Sequence, residues 1–284
     1  MRRSLTCLGV AGAMALALSG VASAAPTVNV KAEAVPIPGF PGTGNILGAG
    51  AAVQSEITIT GNEYGGYPPP VIGVNVYLPK GTKLHPQGFP ACPTNTLVVQ
   101  HEPRKCPKGS SAGPVGFANG FVVFGGERVP EKVSIESFYA PGGGINFYAE
   151  GHTPASIEVT SVGKFVNFNG GEGFGPKAVV EVPLVETVPG APDASVERIV
   201  TKLGSAIKKG GKTIYYGTVP TSCPKGGFPF KVEVTFAGLG GLQQQVVTVN
   251  STAPCPKATT KTKKGKKKVR HAKRKTRHGK QKRK

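Results

Sequence analysis

Polar and apolar residues alternate along much of this chain in short runs. A two-residue period marks strands with one face in a core and the other in water. Lys231 to Phe236 (KVEVTF) is the cleanest case. Comparable β-rich runs span Val71 to Leu78, Thr96 to Gln100, Gly120 to Phe124, Lys132 to Tyr139 and Ile145 to Glu150. Ser156 to Phe168, Ala178 to Val185, Lys212 to Gly217, Phe230 to Ala237 and Gln244 to Asn250 complete the series. Turn clusters such as Pro141-Gly142-Gly143-Gly144, Gly170-Gly171 and Gly210-Gly211 separate them. About ten strands at roughly ten-residue spacing predict an all-β fold, an antiparallel β-sandwich built as one large sheet or two small ones. The Pro/Gly-rich segments from Pro36 to Gly50 and from Tyr64 to Pro70 read as surface loops.

One stretch departs from this period. Val196, Ile199, Val200, Leu203 and Ile207 follow helical spacing, and Asp193 could cap a helix there. The β-branched content and Gly204 favour a strand leading to Ile207, with a short helix as the alternative.

The two ends of the chain differ in kind from its middle. Arg2 and Arg3, the apolar run Leu8 to Leu18 and Ala22-Ser23-Ala24 have the three parts of a secretory signal, with cleavage between Ala24 and Ala25. The apolar run is short against the roughly 20 residues of a membrane-spanning helix. The organisation expected is therefore a signal over 1–24, a body over 25–256 (divisible near 190 into two subdomains) and a tail over 257–284. The mature protein is expected to be secreted or attached to the cell surface.

Cys92, Cys106, Cys223 and Cys255 are each followed by proline, which keeps each cysteine on extended or turn backbone. An even number of cysteines in an exported chain predicts disulfides. Of the three pairings, Cys92–Cys106 and Cys223–Cys255 are favoured because each brackets a predicted strand or hairpin. Zinc would require closely spaced thiolates or nearby histidines, which these intervals do not supply.

Catalytic chemistry finds little material. Asp193 is the single aspartate, and the body histidines are His85, His101 and His152. No nucleophile elbow is present, and His101-Glu102-Pro103 only begins like a metalloprotease helix before Pro103 interrupts it. Glu150, Glu158, Glu172 and Glu181 are available for glycosidase chemistry, which needs two facing carboxylates, but nothing in the sequence pairs them. The segment Gly204 to Thr213 imitates a phosphate loop with its first glycine misplaced, and a Lys-rich β-turn accounts for it better. A sugar site would have to rest on Tyr64, Tyr67, Tyr139, Tyr148, Tyr215 and Tyr216, since the chain has no Trp. No catalytic residue, metal or cofactor is expected.

Several short motifs recur together: Leu78-Pro79-x-Gly81-Thr82, Phe89-Pro90-Ala91-Cys92, Cys106-Pro107-x-Gly109-Ser110, and Cys223-Pro224-Lys225-Gly226 ahead of a strand and Cys255. In these motifs, over about Pro38 to Pro256, the chain resembles exported β-rich proteins of actinobacteria that have no assigned function. The resemblance implies export and a disulfide-stapled β fold, and it transfers no binding or catalytic residue.

Charge changes the picture last. Of 35 Lys and Arg, 16 lie between Lys257 and Lys284 and two in the leader, so 17 face the 15 acids of the body. The tail has one branched apolar residue, Val269, and cannot bury a core, so a disordered basic arm is expected. Lys266, Lys267, Lys268, Arg270, Lys273, Arg274, Lys275, Arg277, Lys282 and Arg283 are its candidate polyanion-binding residues. The partners expected are an anionic cell-wall polymer, anionic lipid or extracellular nucleic acid, bound in a salt-dependent way. Taken together, the sequence favours an exported, non-catalytic cell-envelope or matrix protein tethered by its tail. The alternatives are a secreted hydrolase of envelope polysaccharide and, if the leader is not a signal, a nucleic-acid-binding protein.

Overall fold

The computed structural model of the chain describes residues 25–44, 46–124, 127–152, 156–168, 173–185 and 194–256. The leader, Asp193, Glu172 and the basic tail lie outside the described residues. In chain order the strands are β1 (Thr27–Val35), β2 (Ala52–Thr60), β3 (Val71–Pro79), β4 (Lys83–Leu84), β5 (Gly116–Phe124), β6 (Glu127–Tyr139), β7 (Ile145–Gly151) and β8 (Ile157–Asn167). They continue with β9 (Phe174–Glu181), β10 (Ser195–Leu203), β11 (Ala206–Lys209), β12 (Lys212–Tyr215), β13 (Gly217–Thr218), β14 (Phe228–Phe236) and β15 (Gln245–Ala253). One α-helix occurs among the described residues, α1 (Thr94–Val98). The fold is all-β and antiparallel.

Eleven strands form a single sheet in the order β1-β2-β10-β5-β6-β7-β8-β9-β3-β14-β15. The sheet curls over on itself. Val28 and Val30 of β1 and Ile59 of β2 join Phe230, Val232, Val234 and Phe236 of β14 in one buried cluster, although these strands sit near opposite ends of the strand order. At the seam β1 lies alongside β15, where the Ser251 hydroxyl reaches the Val30 carbonyl at 3.5 Å. Burying the apolar face of each strand against the opposite wall is what drives the curl.

The backbones of β5 and β10 come unusually close at two glycines. A Cβ on Gly120 would stand 2.0 Å from the Ser195 carbonyl oxygen, and one on Gly116 would stand 2.4 Å from that of Val200. Only residues without a side chain allow the two backbones this approach, and the register slips between Val196 and Arg198 at the same place.

The register defines two ends of the curled sheet. One end holds Tyr139, Ile145, Phe165 and Leu203. Two long excursions, residues 80–115 and 204–227, close over it. Phe89 and Tyr216 from these excursions pack on Tyr139, Ile145 and Ala112, with Ile207 and Ile214 of the β11–β12 hairpin against them. The excursions are tied together by the β4–β13 pair and by the His85 amide donating to the Tyr216 carbonyl at 2.7 Å. This is the plugged end. Phe121, Glu131, Ile157 and Ser195 lie toward the other.

Two expectations change, and the strand favoured over a helix at Ser195–Leu203 forms. Residues 96–100 are not a strand: Thr94–Val98 is helical, and Leu97 is fully buried against Cys92, Phe138 and Tyr148. The segment lies within the Cys92–Cys106 loop, where packing Leu97 onto the outer face of the sheet outweighs its β-branched propensity. The prolines of the Tyr64–Pro70 stretch are buried rather than exposed, and the Pro68 carbonyl accepts the Ser195 hydroxyl at 2.8 Å. Ser195–Leu203 is a strand paired with β2 and β5, so the helical spacing there reflects contacts on two faces of a strand. Two strands, β1 and β2, also precede those the pattern predicts.

Candidate functional site

An apolar cavity of about 250 Å³ lies inside the curled sheet. Its walls are mostly short side chains: Val74 and Val76 from β3, Ala118 from β5, Val133 from β6, Ala149 from β7, Val159 and Ser161 from β8, and Val180 from β9. Valine, alanine and serine facing one another across two walls do not reach far enough to fill the centre. Large aromatic residues fill the plugged end instead. An enclosed apolar void of 150 Å³ in a protein core takes up benzene; this space is larger and partly open, with room for roughly ten heavy atoms.

The polar groups at the cavity are few. Ser55 and Thr201 hydrogen-bond to each other at 2.8 Å, and Ser195 donates to Pro68. Among the described residues, Glu131 is the one carboxylate on the cavity wall, with the residue only 5% exposed. It stands on β6 opposite Gly120, and Gly151 makes room for it: a Cβ there would lie 2.9 Å from Glu131 Oε1.

The carboxylates that sequence reasoning considered for hydrolysis do come together in part. Glu150 of β7 pairs directly across from Glu158 of β8, and Glu136 of β6 is opposite Tyr148. They sit on the outer surface of the sheet, side by side and pointing the same way. His101 Nδ1 approaches Glu158 at 3.4 Å and His152 Nε2 approaches Glu150 at 3.4 Å. His101 is the one described non-glycine residue with positive φ, 53°. No cleft separates the two glutamates, as attack on a glycosidic bond from both sides requires. Glu181 is on β9, across from Val162. Among the described residues, no group of three or more His, Cys, Asp or Glu side chains could hold a metal ion.

The tyrosines named as sugar platforms are mostly committed elsewhere. Tyr139, Tyr148 and Tyr216 are 2%, 2% and 3% exposed. Tyr139 and Tyr216 stack with ring centroids 4.0 Å apart, and their hydroxyls bond to Ser205 and to the Gly143 carbonyl. Tyr64 and Tyr67 form a small bridge of their own, with the Tyr67 ring against Phe121. The phosphate-loop imitation is the β11–β12 hairpin, turning at Gly210 and Gly211, both with positive φ.

Burial shifts the three buried phenols upward. Tyr139 is pushed to about 12 by burial, despite its Ser205 bond. Tyr148 reaches about 12, first through burial and then through the Glu158, Glu150 and Glu136 carboxylates. Tyr216 is raised by burial and then by Tyr139. An unfolded phenol loses its proton near pH 10. The folded state therefore holds these protons more tightly, and stability is full below about pH 10 and falls as the pH rises toward 12. Absorbance at 295 nm is expected to show the three phenols ionising together with loss of the β circular dichroism signal. Their ionisation near pH 10 with the sheet intact would contradict this.

The disulfides are Cys92–Cys106 and Cys223–Cys255. The first joins the excursion covering the outer face of β6 and β7, and the second ties the start of the β14–β15 hairpin to its end. On the same outer surface, Glu233 accepts from Tyr77 Oη at 2.9 Å and from Asn75 at 3.2 Å, with Lys231 and Lys177 over the Tyr77 ring. Burial works against its charge, but these hydrogen bonds and cations hold its carboxyl below the usual value. The cluster packs the outside of the sheet.

Comparison with known proteins finds no matching family model, curated protein or solved structure. The functional reading therefore rests on the geometry of this chain.

Proposed function

We propose that this is an exported, non-catalytic binding protein of the cell envelope or matrix, whose β body holds a small apolar molecule and whose basic tail tethers it to polyanions. The observation that carries the reading is the apolar cavity between the walls of the sheet. Protein cores ordinarily fill such space, and each void costs stability. A void lined by short side chains from eight strands is a cost that a ligand would offset. Two disulfides are in keeping with an oxidising compartment. The polysaccharide-hydrolase alternative gains no support from the glutamates, which share one open face.

Ligand binding follows from the size and lining. Eight buried alkyl carbons contribute at most about 6 kcal/mol, which places 1-octanol near tens of micromolar or weaker. Displacement of an apolar fluorescent probe by 1-octanol is the test, with the variant Ala118→Leu/Ala149→Leu as the comparison. Filling the cavity is expected to weaken octanol binding at least tenfold while leaving stability unchanged or higher. Undiminished binding by the filled variant would place the apolar site elsewhere and overturn the reading.

A further inference from the structure

We infer that the cavity selects amphiphiles with a hydrogen-bond-donating, non-anionic head, an amine or an alcohol, held at Glu131. The inference rests on the proposed binding role and adds the chemical class of the ligand. Among the described residues, Glu131 is the one acid on a mainly apolar wall whose other polar side chains are Ser, Thr and Asn119, and it lies toward the end opposite the aromatic plug. Gly151 leaves the carboxylate the space it occupies, since a side chain there would collide with Oε1 and with Val133 Cγ1 at 2.8 Å. A carboxylate carries about four acceptor positions over its two oxygens, so it takes a ligand's donor alongside any protein donor. A hydrogen bond involving an ionised group is stronger than a neutral one, particularly away from water.

The geometry also determines what is rejected. A fatty-acid carboxylate would bring a second negative charge next to Glu131, and like charges in a poorly solvated site repel strongly. Away from Glu131, the Ser55 and Thr201 hydroxyls on the wall are engaged with each other, and the Tyr139 and Tyr216 hydroxyls of the plug with Ser205 and Gly143. The apolar body of the ligand runs from Glu131 toward Phe147 and Leu203, which bound the cavity at that side.

Three probes of equal chain length test this by calorimetry or probe displacement at pH 7: octylamine, 1-octanol and octanoate. The wild-type chain is expected to bind octylamine and octanol at least tenfold more tightly than octanoate. In Glu131→Gln the octylamine-to-octanoate ratio is expected to fall at least tenfold, with octanol changing less than about threefold. Equal binding of octylamine and octanoate by the wild-type chain would overturn the assignment of Glu131, without any need for the variant to fold. An unchanged ratio in a folded Glu131→Gln variant would overturn it as well. Octanol binding reports separately on the cavity: if none of the three probes binds, the ligand-binding role falls, and the head-group selection falls with it.

Discussion

A chain ending at Pro256 is expected to wash off anionic cell walls at low salt, under conditions where the full chain stays bound. The 28 residues removed carry 16 Lys and Arg, no acid, and most of the net charge of +20. Contacts to six to ten phosphates make affinity fall by roughly 10³ to 10⁵ between 50 and 200 mM salt. The full-length protein is thus expected to elute in a steep salt step, and the shortened one without salt. The 17 basic residues of the body face 15 acids and offer no substitute charge. Retention of both forms to the same salt concentration would mean that the body holds the surface contact. Identical release of both at low salt would dispose of the tether altogether.

The second large effect concerns the buried disulfide. Loop entropy alone ranks Cys223–Cys255 above Cys92–Cys106, since its loop of 32 residues is worth about 3.7 kcal/mol against about 3 for a loop of 14. Packing reverses the order. Cys92 is fully buried with Leu97, Phe138 and Tyr148, whereas Cys255 is exposed. Replacing Cys92 and Cys106 by alanine should also free α1 from the outer face, where Asn146 Nδ2 donates to Thr94 Oγ1 at 3.0 Å. The Cys92→Ala/Cys106→Ala variant is expected to lose at least about 4 kcal/mol, a fall in Tm on the order of 10 °C for a body of this size. Replacing Cys223 and Cys255 is expected to cost less. If urea unfolding gives the opposite order, loop length governs and the packing under the helix contributes little.

The strands were largely legible because a strand with one buried face declares itself locally. The burial of Phe228–Phe236 alternates residue by residue, as its polar and apolar letters do. Thr27–Val35 has a similar alternation, but the Pro/Gly-rich stretch after it makes the whole region resemble a loop. Residues 94–98 mislead for a different reason. Their β-branched letters describe local preference, while the Cys92–Cys106 crosslink and the uncovered face around Tyr148 decide their conformation. The cavity was not legible at all. Ala118, Ala149 and Ser161 are small residues at unremarkable strand positions, and only the curl of the sheet places them around one space. Glu131 is equally silent in the sequence, because alternation tells which face a residue takes and not which face is inside.

Ten antiparallel pairings separate the first strand of the sheet from the last, so β1 and β15 run in the same direction where they meet. The chain therefore begins its sheet at the Glu131 end, and its last strand runs toward the opposite end, where Ala253 packs against the Val30 and Phe230 cluster. Parity thus gives the molecule a polarity. In the proposed tether, the chain leaves the sheet at the end away from Glu131.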